Sequence, residues 1–310
     1  MPTLKSQLIN SLIRNRHLFQ GKFQKPVFDS NTSIEEFRRQ CEKSAARMSK
    51  IPKGIDIRQD VIEGIKCEWI LPGGSHPQKV ILYVHGGGYV SGSCSDHRGF
   101  VSAFARDCGF TTLVYEYRLA PEHPFPAALD DSVKVYSWLL QNGYSSGNIL
   151  VAGESAGGGL CLALLLSLKQ RGFSLPIAAV AISPWTDLTC SSPSYLTKNK
   201  VSVAPLNSWT VFSRHYAGDH STDDPLVSPL FGDLQGLPPL FINSGTDDEL
   251  YDDGERFYIK AREAGVDITF RAGIGQVHCY PFFSPIFREA TEAMSEICLF
   301  IIRHLNNQAS

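Results

Sequence analysis

The sequence predicts an α/β fold: a mostly parallel central sheet with helices on both faces. Three observations carry that expectation. Short apolar runs alternate with longer stretches whose apolar residues recur at helical spacing. The runs are bounded by glycine, proline and polar residues, as buried strands are. Ser155, His278, an acidic cluster and a glycine triplet all follow such runs, at the edge where right-handed crossovers gather their loops.

Taken in order, residues 80–84 and 111–116 are expected strands. Residues 130–141 set Val133, Tyr136, Leu139 and Leu140 on one helical face. A strand at 148–152 leads into a helix at 158–170, and another strand follows at 178–182. Strand 240–244 leads to a helix at 252–264, which Gly265 ends. Strand 267–271 and a helix over about 287–304 close the chain. Two stretches break the alternation: the first 50 residues, and a Ser, Thr and Pro-rich segment at about 187–220. The second carries Leu206, Trp209, Val211, Phe212 and Tyr216 at helical spacing. As an insertion after a strand it belongs above the loop edge, so both stretches are expected to form a cap. The plainer alternative is surface decoration. The expected organisation is therefore a cap part at 1–50 and a catalytic domain at 51–310 that holds the insertion.

Gly153-Glu154-Ser155-Ala156-Gly157 sits between an apolar run and a helical stretch. A serine on such a strand-to-helix turn takes strained dihedrals, and its neighbours must be small. Its hydroxyl is lifted clear of the sheet, facing the free N–H groups of the helix N-terminus. Upstream, His85-Gly86-Gly87-Gly88-Tyr89 follows another run. Consecutive glycines leave amides open to a ligand oxygen. A phosphate cradle is the weaker reading, because no Gly-Lys-Ser/Thr follows.

A serine nucleophile needs a base, and in the order Ser, acid, His that base must follow Ser155. Four histidines do: His215 and His220 in a polar segment, His278, and His304 on the closing helix. Only His278 lies on a loop after the last strand. The acid should end the preceding strand, where Asp247, Asp248 and Glu249 compete. Position alone leaves Asp247 and Asp248 open. Asp187 lies before the insertion and fails the order, and His123 precedes the serine.

These motifs resemble the hormone-sensitive lipase family of α/β-hydrolases. The likeness rests on His85-Gly86-Gly87-Gly88, on residues 117–128, on Gly153-Glu154-Ser155-Ala156-Gly157-Gly158, on Ser183-Pro184-Trp185-Thr186-Asp187-Leu188, and on the segments holding Asp248 and His278. The family's Asp-x-Leu signature matches Asp248-Glu249-Leu250, so the resemblance implies Asp248 as the acid. It implies Gly87, Gly88 and Ala156 as oxyanion donors, and a pocket among Tyr89, Trp185, Leu206, Phe212 and Tyr280. It departs at Glu249, where proline is usual, at Cys279, where glycine is usual, and at Glu154, where aspartate is common. Arg118, Glu122 and Asp130 are expected to form a charge network beneath the glycine loop.

The implied activity is a serine carboxylesterase acting on short-to-medium acyl esters, with no cofactor and no metal. An amide hydrolase or deacetylase on the same triad is the alternative. A non-catalytic receptor is a further one, since plant gibberellin receptors resemble this family but lack the histidine that His278 supplies here. A net charge of −2 gives no pull toward nucleic acid, and eight singly scattered cysteines fit a reducing cytoplasm better than a disulfide framework. No stretch is long enough to span a bilayer, and no secretory leader is evident. Leu4, Leu8, Leu12, Ile9 and Ile13 recur at helical spacing. That helix packs on the core or lies on a membrane surface; the resemblance makes it part of the cap. Family analogy adds a homodimer through the last strand and helix.

Overall fold

The computed structural model describes residues 2–18, 21, 23–48 and 50–306. Helices α1 (Leu4–Arg14) and α2 (Ile34–Met48) come first. Strands β1 (Ile55–Ile62) and β2 (Ile65–Pro72) form an antiparallel hairpin. Its two-residue turn has positive φ at Glu63 and Gly64, which suits the twist of paired strands. Alternation follows: β3 (Val80–Val84), α3 (Cys94–Cys108), β4 (Thr111–Tyr115), α4 (Ala127–Gln141), β5 (Ile149–Glu154), α5 (Ala156–Gln170) and β6 (Ala178–Ile182). Then come α6 (Ser194–Thr197), α7 (Ser208–Ala217), β7 (Leu240–Gly245), α8 (Tyr251–Glu263), β8 (Ile268–Gly273) and α9 (Arg288–Asn306). The sheet order is β1-β2-β4-β3-β5-β6-β7-β8, antiparallel only where β2 meets β1 and β4.

The unbroken apolar runs have a simple cause. In β3, Val80, Leu82 and Val84 join the core on one face, and Ile81 and Tyr83 join the core on the other. A strand covered on both faces has no polar position to alternate with. Helix α5 packs into the first core through Leu160, Leu164 and Leu168. Helices α3 and α9 form the second through Val101, Phe104, Ile297 and Ile301. Burying a side chain of this size contributes about 1.5–3 kcal/mol, so the two cores fix the sheet that carries the loop edge.

The N-terminal segment and the segment around α7 pack on each other. Phe28 N–H donates to Leu206 O at 2.8 Å, and Leu206 N–H donates to Pro26 O at 2.9 Å. Phe28, Phe37 and Phe212 form a ring cluster with centroids 5.3–5.6 Å apart. Helix α1 exists as expected, but it does not pack through its leucines. Ser6 and Asn10 are its buried residues, and Asn10 Nδ2 donates to Gly275 O at 3.0 Å and to Gln276 Oε1 at 3.1 Å.

The expected Arg118–Glu122–Asp130 network is corrected. Arg118 pairs with Asp131, one residue further along α4 and buried. Glu122 pairs with Arg38 of α2, and Asp130 pairs with Arg171. The loop support comes from Arg38, whose guanidinium donates to Val90 O at 2.6 Å and Ala120 O at 2.8 Å. A helix turns about 100° per residue, so Asp130 points to solvent while Asp131 points inward.

Candidate active site

Ser155 stands between β5 and α5 with φ 58° and ψ −125°. A side chain held there is strained, and the surroundings must enforce it. Ser155 N–H donates to Ile182 O at 2.9 Å, and Ser155 O accepts from Trp185 N–H at 3.0 Å. A Cβ on Gly157 would lie 2.2 Å from Val84 O and 2.4 Å from His85 O. Glycine there lets the start of α5 press against the loop leaving β3.

That loop carries the glycine triplet. Gly88 has φ 66°, and a Cβ on it would meet the Phe212 ring at 2.4 Å. Among the described residues, the N–H groups of Gly87, Gly88 and Ala156 have no hydrogen-bond acceptor. Three open amides near a helix N-terminus can hold an anionic oxygen. Glu154 fixes the loop from below. Its Oε1 accepts from Gly86 N–H at 2.5 Å and lies 3.2 Å from His97 Nε2, and its Oε2 accepts from the Tyr83 hydroxyl. Tyr117 donates to His85 O at 2.9 Å, and its ring stacks on His85 at 4.2 Å. Burial, with His97 nearby, pushes the His85 pKa down to about 3, so this ring stays neutral as packing.

His278 Nδ1 lies 2.6 Å from Asp248 Oδ2. Asp248 is fully buried, and its Oδ1 accepts from Leu250 N–H at 3.1 Å. Asp247 turns away to pair with Arg14 and, at 3.8 Å, with Lys198. Geometry thus brings Asp248, and not Asp247, to the imidazole. Burial works against the imidazolium of His278, but the Asp248 carboxylate outweighs it, aided by the neighbouring Cys279 sulfur, and holds the pKa well above the ordinary value. Cys279 takes a left-handed φ of 52°, where glycine would be relaxed, and its N–H donates to Ser183 Oγ at 3.1 Å. Burial pushes its thiol pKa up, and the adjacent imidazole opposes that.

The expected pocket residues divide. Phe212 packs on the glycine loop. Leu206 is half-buried at the bridge to Val27. Tyr89 and Trp185 are buried behind them, with Tyr89 stacked on Tyr216 at 3.6 Å. Tyr280 does not join this group. Its ring packs against Gly273, its hydroxyl accepts from Asn243 Nδ2 at 2.9 Å, and its neighbours include Phe287 and Ala290. Two residues after His278, the chain has already turned under the last helix.

Trp209, which sequence reasoning left out of the expected pocket, lies beside His278. Its ring meets His278 edge-on at 5.7 Å and Trp185 at 5.0 Å. Its Nε1–H donates to Glu249 Oε2 at 3.0 Å. The sequence holds a signal for it: a buried indole needs an acceptor, and Glu249 replaces a residue that offers none. No cluster of His, Cys, Asp or Glu among the described residues could hold a metal ion.

Known proteins share the fold. The family profile described as an alpha/beta hydrolase fold matches residues 81–282. An acetyl-hydrolase of Streptomyces hygroscopicus is 37% identical over 246 residues, covering 78% of this chain and 82% of that protein. An esterase of Acinetobacter venetianus is 35% identical, covering 79% and 82%. A solved esterase from the bacterial hormone-sensitive lipase family superposes with a TM-score of 0.89 at 34% identity, over 98% of this chain and 99% of the other. The crystal structure of EstE5 soaked with p-nitrophenyl butyrate superposes at 0.88 with 33% identity and the same coverage.

Proposed function

This chain belongs to the alpha/beta hydrolase fold family, within its hormone-sensitive lipase branch, and we propose that it works there as a serine carboxylesterase. The observation that carries the reading is the 2.6 Å contact of His278 with buried Asp248, on the same sheet edge as strained Ser155 and three open amides. His278 takes the Ser155 proton as the oxygen attacks the ester carbonyl. Asp248 holds the imidazole tautomer and stabilises the imidazolium. The N–H groups of Gly87, Gly88 and Ala156 receive the oxyanion. The C–O bond to the alcohol then breaks, and His278 returns the proton to the leaving oxygen. Water, deprotonated by His278, releases the acid and frees Ser155.

Residues 1–50 and 187–220 serve as the cap. Phe212 packs on the glycine loop and Trp209 meets His278, so bulky rings crowd the site, which supports short-to-medium acyl groups. The relative named acetyl-hydrolase and the butyrate ester soaked into EstE5 point the same way. The free thiols support a reducing, cytoplasmic setting. A dimer through β8 and α9 extends the analogy.

Separate asparagine exchanges test the triad. Asp248→Asn should lower kcat on p-nitrophenyl butyrate by roughly 10⁴-fold, as losing the orienting acid does elsewhere. Asp247→Asn should stay within about tenfold, because it removes only an ion pair that points away from His278. A larger loss at Asp247 would overturn the assignment. In an acyl-length series, activity climbing beyond about ten carbons would refute the short-acyl pocket.

A further inference from the structure

Helix α1 turns Ser6, Asn10 and half-buried Ile9 inward and leaves its leucines outside. Ser6 and Asn10 are buried against Gln276, whereas Leu4, Leu8 and Leu12 are 84%, 62% and 47% exposed. Steps of four bring the three leucines close together on one stripe, and exposed Lys5 lies along its border. The same exposure continues along the segment, with Leu18 at 51%, Phe23 at 94% and Val27 at 58%. A lone exposed leucine means little, but a sustained apolar stripe on one element marks a contact surface.

The charge pattern selects the partner. Before Asp29 the sequence carries Lys5, Arg14, Arg16, Lys22 and Lys25 and no acidic residue; Arg14 is turned inward onto Asp247 and Lys25 donates to the carbonyls of Asn199 and Ser202. The chain as a whole is −2, so residues 1–28 contribute +5 and the remainder −7. A two-fold contact between copies would set this basic segment against itself, and like charges there oppose association. An anionic bilayer supplies both an apolar depth for leucines and opposite charge for lysine and arginine.

We propose that residues 4–18 and 23–27 form a docking surface for an anionic lipid bilayer, with the leucine stripe of α1 lying in the headgroup region. The contact is peripheral, since no helix among the described residues is long and apolar enough to cross a membrane. Its position gives it consequence. Helix α1 touches Gln276, two residues before His278, and its Arg14 pairs with Asp247 beside Asp248. Docking there presents the cap side of the molecule to lipid.

Vesicle flotation of the full chain tests the proposal, comparing phosphatidylcholine alone with phosphatidylcholine holding about 30% phosphatidylglycerol. Binding should favour the anionic vesicles by roughly tenfold and be lost at about 0.5 M NaCl. The double variant Leu8→Ser/Leu12→Ser should float at least about tenfold less. Its hydrolysis of p-nitrophenyl acetate without vesicles should stay within about twofold of the parent, because exposed residues carry little stability. Equal partition on neutral and anionic vesicles, or no partition, would overturn the proposal. So would light scattering showing a dimer that the leucine exchanges dissolve, since the occupant would then be a second copy.

Discussion

At the scale of single residues, the proposed mechanism turns on how His278 is charged. Only the neutral imidazole can accept the serine proton. Burial opposes its protonation, and Asp248 reverses that balance to raise its pKa. The limb of kcat/KM that rises with pH should therefore have its midpoint above the ordinary imidazole value of about 6.5. Asp248→Asn removes the attraction and keeps the burial, so the midpoint should move to lower pH as the plateau falls. An unmoved or higher midpoint would show that Asp248 does not set this charge. The sequence left Asp247 and Asp248 open because adjacent positions at a strand end share the same spacing to everything else. What separates them is tertiary: Arg14 and Lys198 draw Asp247 outward, and Leu250 N–H fixes Asp248 in place. Glu154 also departs from the usual aspartate, yet its carboxylate reaches the Gly86 amide and the Tyr83 hydroxyl together.

Elements show where sequence periodicity suffices and where it stops. Strands β3, β5 and β6 were plain because burial on both faces leaves only apolar residues. The β1–β2 hairpin lies outside the sequence expectations, although a Glu-Gly turn joins two runs with apolar residues at alternate positions. Periodicity gave α1 its helix but not its orientation, because Gln276 and Gly275 offer its polar face better partners than the core offers its leucines. Helix α7 is tied to His278 by Trp209, and Glu249 holds the indole in place. Glu249→Gln keeps an acceptor for the indole and should hold kcat/KM within about threefold. Glu249→Leu leaves that buried N–H unpaired, at a cost of about 1–3 kcal/mol in stability. It should also lower kcat/KM by on the order of tenfold, as the ring beside His278 loosens. Equal kinetics and melting temperatures in the two variants would show that the tie is idle.

Across the whole molecule, sheet order explains why residues far apart in sequence share one edge. Strands β3, β5, β7 and β8 run parallel, so the loops leaving them emerge on one side with Gly87, Ser155, Asp248 and His278. Strand–helix alternation made that edge legible from sequence. The pairing of the N-terminal segment with the α7 segment was not, because Phe28, Phe37 and Phe212 meet only after the sheet has formed. The cysteines that seemed scattered include one close pair, Cys108 and Cys298, with sulfurs 2.9 Å apart between α3 and α9. The account as a whole stands on Ser155 being a nucleophile that His278 activates. Covalent labelling with a p-nitrophenyl phosphonate, mapped by peptide mass, measures this directly. One adduct per chain on the peptide holding Ser155, formed roughly 10³-fold or more slowly after His278→Ala, is the expected result. An adduct on another residue, or an unchanged labelling rate in His278→Ala, would contradict it.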